Sequence, residues 1–385
     1  MLKRYYPRLI ITGVFLFFLL GFIKVCLAVT PSIQAKSACL MDAHSGQVLW
    51  AKNLHEKRPQ ASTTKITTAI LALEKGQLNQ VVKASHNASQ TPESSMYLQE
   101  GEELTLEELL YALLLKSAND AAVAIAEAIG GSVENFAVMM NEKVKEIGAL
   151  NTNYVNPHGL TAPNHYSSAY DLALIGRYAM KNSKFREIVA TKERIIPWQG
   201  KPWSRYLLNE NRLLWGYNAY KGADGIKNGY TTPAGQVLVG SATREDWRLI
   251  AVVMKSPNMY QETSELLDYG FNNFHQVKLM SANKQVITAD VRGGLVRSIP
   301  IVTADDVIVV EPNNESWQWK QRIELKELHA PIRKGEKVGS LIFSSHGQEV
   351  TVDLLAVTSV KRRSCWLDFI YSFVSVFNLP LLKLV

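Results

Sequence analysis

The feature that most constrains this chain is a change of apolar period that occurs twice. An alternating stretch from Ser37 to Lys52 gives way to a long middle region with helical spacing, and after Gly222 two β-branched runs, Gln236 to Thr243 and Trp247 to Met254, restore the strand pattern. Asp42-Ala-His-Ser-Gly46 reads as the turn of a first hairpin and Arg244-Glu-Asp246 as that of a second. In the middle, Ile66, Ala69, Ile70 and Leu73 share one face of a helix over 64–75 that stops at Gly76. Thr105-Leu-Glu-Glu108 is a capping-box pattern before Leu109, Leu110, Leu113 and Leu114. Phe136, Met140, Val144 and Ile147 mark a helix over 132–147 ended by Gly148, Ser168 opens another, and a last helix runs over about 260–272. The simplest topology is an α/β domain whose antiparallel sheet is assembled from its two sequence ends, with the helices inserted between. From about Val277 to Val357 short strands and turns predict a small all-β domain.

The 385 residues are enough for one large core and a smaller one. The ends carry most of the formal charge of +7. Lys3, Arg4 and Arg8 precede the apolar run Leu9 to Ile23, which is short of the roughly 20 residues of a spanning helix, and Cys26-Leu-Ala28 follows. This is the pattern of an export signal, residues 1–28, cleaved after Ala28. At the other end Lys361-Arg-Arg363 opens a stripe of Trp366, Phe369, Ile370, Phe373, Val374 and Phe377 at helical spacing. It predicts an amphipathic anchor over 361–385, lying on the outer face of the cytoplasmic membrane with its cations at the head groups. Residues 29–275 and 276–360 are then the two exported domains. No basic face with interleaved aromatics marks the body, which argues against nucleic acid. Cys39 and Cys365 are too few for a disulfide framework, and no Cys or His spacing suggests a metal site.

Ser62-Thr-Thr-Lys65 places a hydroxyl and an amine on one helical face. Serine needs a base to act as a nucleophile near neutral pH, and a lysine kept neutral by burial and by neighbouring positive charge can serve. Ser117-Ala-Asn119 falls between two helices, where a turn projects both polar side chains. Lys227-Asn-Gly229, followed by Tyr230, lies at the start of the C-terminal strands. Each triplet is weak alone, but their order and the elements that carry them form a specific signal.

These three motifs resemble those of the low-molecular-mass penicillin-binding proteins of the D-alanyl-D-alanine carboxypeptidase type. The resemblance extends through Asp42-Ala-His-Ser-Gly-Gln-Val-Leu49, Lys116-Ser-Ala-Asn-Asp-Ala-Ala122, Asn156-Pro-His-Gly-Leu160 and Trp247-Arg-Leu-Ile250, and covers almost the whole chain. It implies a penicillin-binding, serine β-lactamase-like fold with helices on both faces of the sheet and a helical subdomain. It implies Ser62 as nucleophile, Lys65 as general base, and Ser117 with Asn119 as proton relay and peptide holder. Lys227, Asn228, Gly229 and Tyr230 follow as substrate-binding residues, with the amides of Ser62 and Tyr230 as oxyanion hole, and Arg248 as a second carboxylate contact. The substrate implied is the stem peptide of peptidoglycan, β-lactams are the implied covalent inhibitors, and neither cofactor nor metal is called for. Two departures stand out: Asn228 replaces the usual Thr and Ala118 the more frequent Gly, an exchange tolerated only where no positive φ is required. Two alternatives share the motifs, a β-lactamase and a catalytically weak wall-binding scaffold.

Overall fold

The computed structural model describes residues 30–363; the expected export signal, and the anchor from Ser364 onward, fall outside them. The central sheet has five strands, β1 (Ser37–Asp42), β2 (Val48–Lys52), β3 (Ala223–Thr231), β4 (Gly235–Arg244) and β5 (Trp247–Ser256), in the order β2-β1-β5-β4-β3. Every pairing in it is antiparallel. The first hairpin therefore docks beside the last, as the period change requires.

Both faces of this sheet are buried, which explains why β5 reads as an almost continuous apolar run rather than an alternating one. Leu249, Ala251 and Val253 point into one core with Leu266 and Leu267 of the helix Met259–Asn273. Ile250, Val252 and Met254 point into the other, larger core with Ile66, Ala69 and Ile70 of helix α1 (Lys65–Lys75) and Leu172 and Ile175 of the helix Ala169–Ala179.

The helical middle follows its local signals closely. Thr105 and Glu108 close a reciprocal capping box on helix α2 (Leu106–Leu115). Ser132 caps the helix Val133–Ile147, which ends on Gly148 in the left-handed region at φ +90°, where glycine carries no Cβ penalty. Helix α3 (Asn119–Gly130) follows α2 after the three-residue link Lys116 to Ala118. Two short antiparallel strand pairs, Val81–Lys83 with Glu103–Thr105 and Glu193–Ile196 with Arg205–Leu208, carry no clear period-2 signal and were not expected.

From Phe274 to Arg363 every regular element of the described residues is a β-strand. Strand Phe274–Met280 pairs with Val307–Pro312, and a six-stranded sheet encloses a separate core of Ile299, Ile301, Leu341 and Leu354. The junction with the first sheet runs through buried Gln47, whose amide donates to the Val310 carbonyl at 3.1 Å and accepts from Val310 N at 2.6 Å. Gln348 reaches back to the Val48 carbonyl at 2.9 Å.

Candidate active site

Ser62 sits in a 3₁₀ turn, Ala61–Thr64, that runs directly into α1. Side chains three apart eclipse one another in a 3₁₀ turn, so Lys65 lies over Ser62 and its Nζ is 3.0 Å from Ser62 Oγ. The same Nζ is 2.7 Å from Asn119 Oδ1 and 2.6 Å from the His158 carbonyl oxygen. Lys65 is fully buried, and burial first, then the charge of Lys227, hold its pKa well below the usual lysine range. A neutral amine keeps two N–H donors and one lone pair. The Asn119 and His158 oxygens can only accept, so the lone pair is left for the one partner that can donate, the Ser62 hydroxyl.

Asn119 opens α3 and is held from behind: its Nδ2 donates to the Pro92 carbonyl at 2.8 Å and its backbone N–H to that of Ser94 at 2.7 Å. Ser117 is buried on the turn before it and takes φ +60°, whereas Ala118 has φ −59°. The left-handed residue of the turn is thus the serine, and alanine at 118 meets no backbone penalty.

Strand β3 supplies the opposite wall. A Cβ on Gly229 would stand 2.7 Å from Ser62 N and 3.1 Å from Ala61 Cβ, so only glycine allows β3 to lie this close to the turn that carries Ser62. Buried Lys227 donates to its neighbour Asn228 at both the carbonyl, 2.9 Å, and Oδ1, 3.2 Å, and burial lowers its pKa to about 8. With Oδ1 taken by Lys227, the amide nitrogen of Asn228 is the end left to turn outward. The Tyr230 ring is exposed at the mouth, beside a recess of about 550 Å³ bounded by Glu93, Leu160, Thr161 and Pro233.

Arg248 does not join this group. The register sets Lys227 opposite Val239 and Val239 opposite Val252, which leaves Arg248 two strands away and roughly 13 Å further along its strand. There its guanidinium binds Asp224 at 2.9 Å, with Ser241 and Thr243 as further partners of the same carboxylate. The expected contact with a substrate carboxylate is therefore corrected: Arg248 fastens the far end of the sheet.

His158 was not singled out as a site residue. Its signal was the Asn-Pro-His-Gly run: the Asn156 side chain accepts from Gly159 N at 2.7 Å, and Thr68 of α1 donates to the Pro157 carbonyl at 2.6 Å. These bonds aim the His158 carbonyl at Lys65. Burial depresses the His158 imidazole to about pKa 3, so it is neutral.

A family model described as D-alanyl-D-alanine carboxypeptidase matches residues 24–258, and one for the C-terminal domain of penicillin-binding protein 5 matches 274–362. The chain belongs to the D-alanyl-D-alanine carboxypeptidase family. Within that family it is 33% identical to the Bacillus subtilis carboxypeptidase DacF over 347 residues, 88% of each chain. It is 32% identical to Escherichia coli carboxypeptidase DacC over 362 residues, covering 89% of this chain and 88% of that one. Among solved structures, penicillin-binding protein 5 of Haemophilus influenzae superposes with a TM-score of 0.69 at 32% identity, covering 87% of this chain and 99% of the other. As a carboxypeptidase of this family the protein is a serine-type hydrolase with the fold of the penicillin-binding proteins, and it acts on peptidoglycan.

Proposed function

We propose that the protein removes the terminal D-alanine from peptidoglycan stem pentapeptides through an acyl-enzyme on Ser62. The observation that carries this reading is the set of partners around Lys65 Nζ, of which only Ser62 Oγ can give up a proton. Lys65 takes that proton as Oγ attacks the carbonyl between the two D-alanines. The resulting oxyanion is met by the amides of Ser62 and Tyr230, which Gly229 allows to approach one another. Ser117 relays a proton to the departing amine. Asn119 holds the peptide, while Lys227 and the Asn228 amide bind the terminal carboxylate. Water then hydrolyses the ester, so one difficult step becomes two easier ones.

A β-lactam acylates the same serine, because its amide presents the same carbonyl and carboxylate. Mass spectrometry of the protein mixed with penicillin gives one adduct that disappears in Ser62→Ala, and a pentapeptide assay gives free D-alanine. An adduct without D-alanine release favours a β-lactam-binding protein of another activity, and no adduct from the folded protein favours the wall-binding scaffold.

We further propose that residues 1–28 direct export, that 29–275 and 276–360 are the catalytic and β domains, and that 361–385 attach the enzyme to the outer face of the membrane. The basic residues beside apolar runs at these ends support the reading. A mature N-terminus at Val29, and release into the soluble fraction on truncation after Arg363, are the results that test it.

A further inference from the structure

Next to the catalytic groove lies a second cleft, of about 570 Å³, walled by aromatic rings. Glu93 borders both this cleft and the recess at the mouth of the site. Tyr97 and Trp203 are 69% and 60% exposed, far more than rings kept for packing. Tyr97 and Trp198 lie nearly parallel, 15° apart with centroids at 6.5 Å.

The display of these rings is built from below. Tyr97 takes φ +63°, a conformation disfavoured for a bulky residue. It is held there by Asp120, the residue after Asn119, whose carboxylate accepts from Ser95 Oγ at 2.6 Å, Met96 N at 3.2 Å and Leu98 N at 3.0 Å. Arg205 completes the clamp. Buried with its partner Glu102 at 2.6 Å, it donates to the carbonyls of Met96 at 2.7 Å and Tyr97 at 3.0 Å, and its guanidinium lies 4.4 Å from the centroid of Trp198. One buried ion pair thus positions both a strained exposed tyrosine and the indole facing it.

We propose that this cleft is a saccharide subsite that takes the amino-sugar backbone of the strand whose stem peptide occupies the catalytic groove; the inference rests on the peptidoglycan reading above. A pyranose ring has a flat C–H face and a rim of hydroxyl and amide groups. The aromatic faces suit the first, and Ser95, Gln99 and Lys201 along the edge suit the second. Leu98 is the one aliphatic residue in the lining, which is a poor match to a peptide needing side-chain pockets. The loop 92–99 forms a wall of the cleft and also anchors Asn119, so occupancy of one site is continuous with the other.

The test compares a disaccharide-linked pentapeptide with the same pentapeptide lacking sugar. The enzyme is expected to prefer the sugar-linked substrate about tenfold in kcat/KM, the scale of a few ring contacts. Trp203→Ala, and Tyr97→Asn, which accepts a positive φ, are expected to remove that preference and leave hydrolysis of the free pentapeptide unchanged. Equal rates on the two substrates, or variants that slow both alike, overturn the proposal. If neither substrate releases D-alanine, the peptidase reading fails instead. The cleft is then judged by saturation-transfer NMR with an N-acetylglucosamine tetramer: transfer that Trp203→Ala abolishes supports it, and no transfer to the unaltered protein overturns it.

Discussion

Gly229 packs against the backbone amide of Ser62 so closely that a single methyl group would stand 2.7 Å from that nitrogen. The contact joins a strand from one end of the domain to a turn from the other, and it sets the spacing of Ser62 from β3. Gly229→Ala is expected to displace the turn and slow acylation about 10²–10³-fold, the loss typical of a missing oxyanion donor. The rate of penicillin adduct formation measures it, with the circular dichroism spectrum unchanged.

The two active-site lysines set opposite limbs of the pH profile. In the proposed mechanism Lys65 must be neutral to take the serine proton; burial and the charge of Lys227 hold its pKa well below the usual lysine range, so activity is expected to rise with pH as Lys65 loses its proton. Lys227 must be charged to bind a carboxylate, and it loses that charge as pH passes about 8. In kcat/KM, which reports the free enzyme, the alkaline limb is therefore expected near pH 8. In kcat it moves higher, because bound substrate carboxylate stabilises the charged lysine. A limb at the same pH in both would show that Lys227 does not meet the substrate.

Asn228 is expected to be a working replacement for threonine. Its oxygen accepts from Lys227 and leaves the amide N–H₂ as donor. Asn228→Thr should stay within a few-fold of the parent, since a hydroxyl can also accept and donate. Asn228→Ala should raise KM about tenfold, the cost of roughly one lost hydrogen bond to a charged group. Steady-state kinetics on the pentapeptide decides between them.

Removing Glu102 strands a buried guanidinium. The side chains of Arg205 and Glu102 are 3% and 2% exposed. Glu102→Ala is expected to destabilise the fold by about 3–5 kcal/mol, the range for breaking a buried ion pair from one side. Urea unfolding provides the value.

His158 and His165 predict sensitivity to mild acid. Both are buried and neutral, with pKa values depressed from 6.5 to about 3 and about 4. The unfolded chain binds their protons first, so the stability they contribute is complete above about pH 6.5 and is lost as pH falls toward the folded values. The melting temperature should drop over that window, and by less in His165→Gln.

The chemistry was legible wherever it is written in local order. Ser62 and Lys65 are one turn apart, Ser117 and Asn119 share a link between helices, and the caps at Thr105, Ser132 and Ser168 lie within three residues of the N–H groups they satisfy. Arg248 was misplaced because position on a strand says nothing about which end of the sheet faces the site; register decides that, and here it pairs Arg248 with Asp224. The His158 carbonyl escaped notice because a backbone oxygen has no residue type to announce it. Asp120 escaped because a carboxylate beside Asn119 reads as an ordinary first-turn residue until the loop it clamps is seen.

By itself, then, the sequence determined the α/β class, the inserted helices, the β domain and the three motifs, since period, caps and turns act over a few residues. Only the tertiary structure decided which oxygens surround Lys65, how near Gly229 comes to Ser62 and which rings gather around Tyr97. Those relations depend on packing and register between segments tens to hundreds of residues apart, and burial in the shared core, not local preference, holds the pKa of Lys65 well below the usual lysine range.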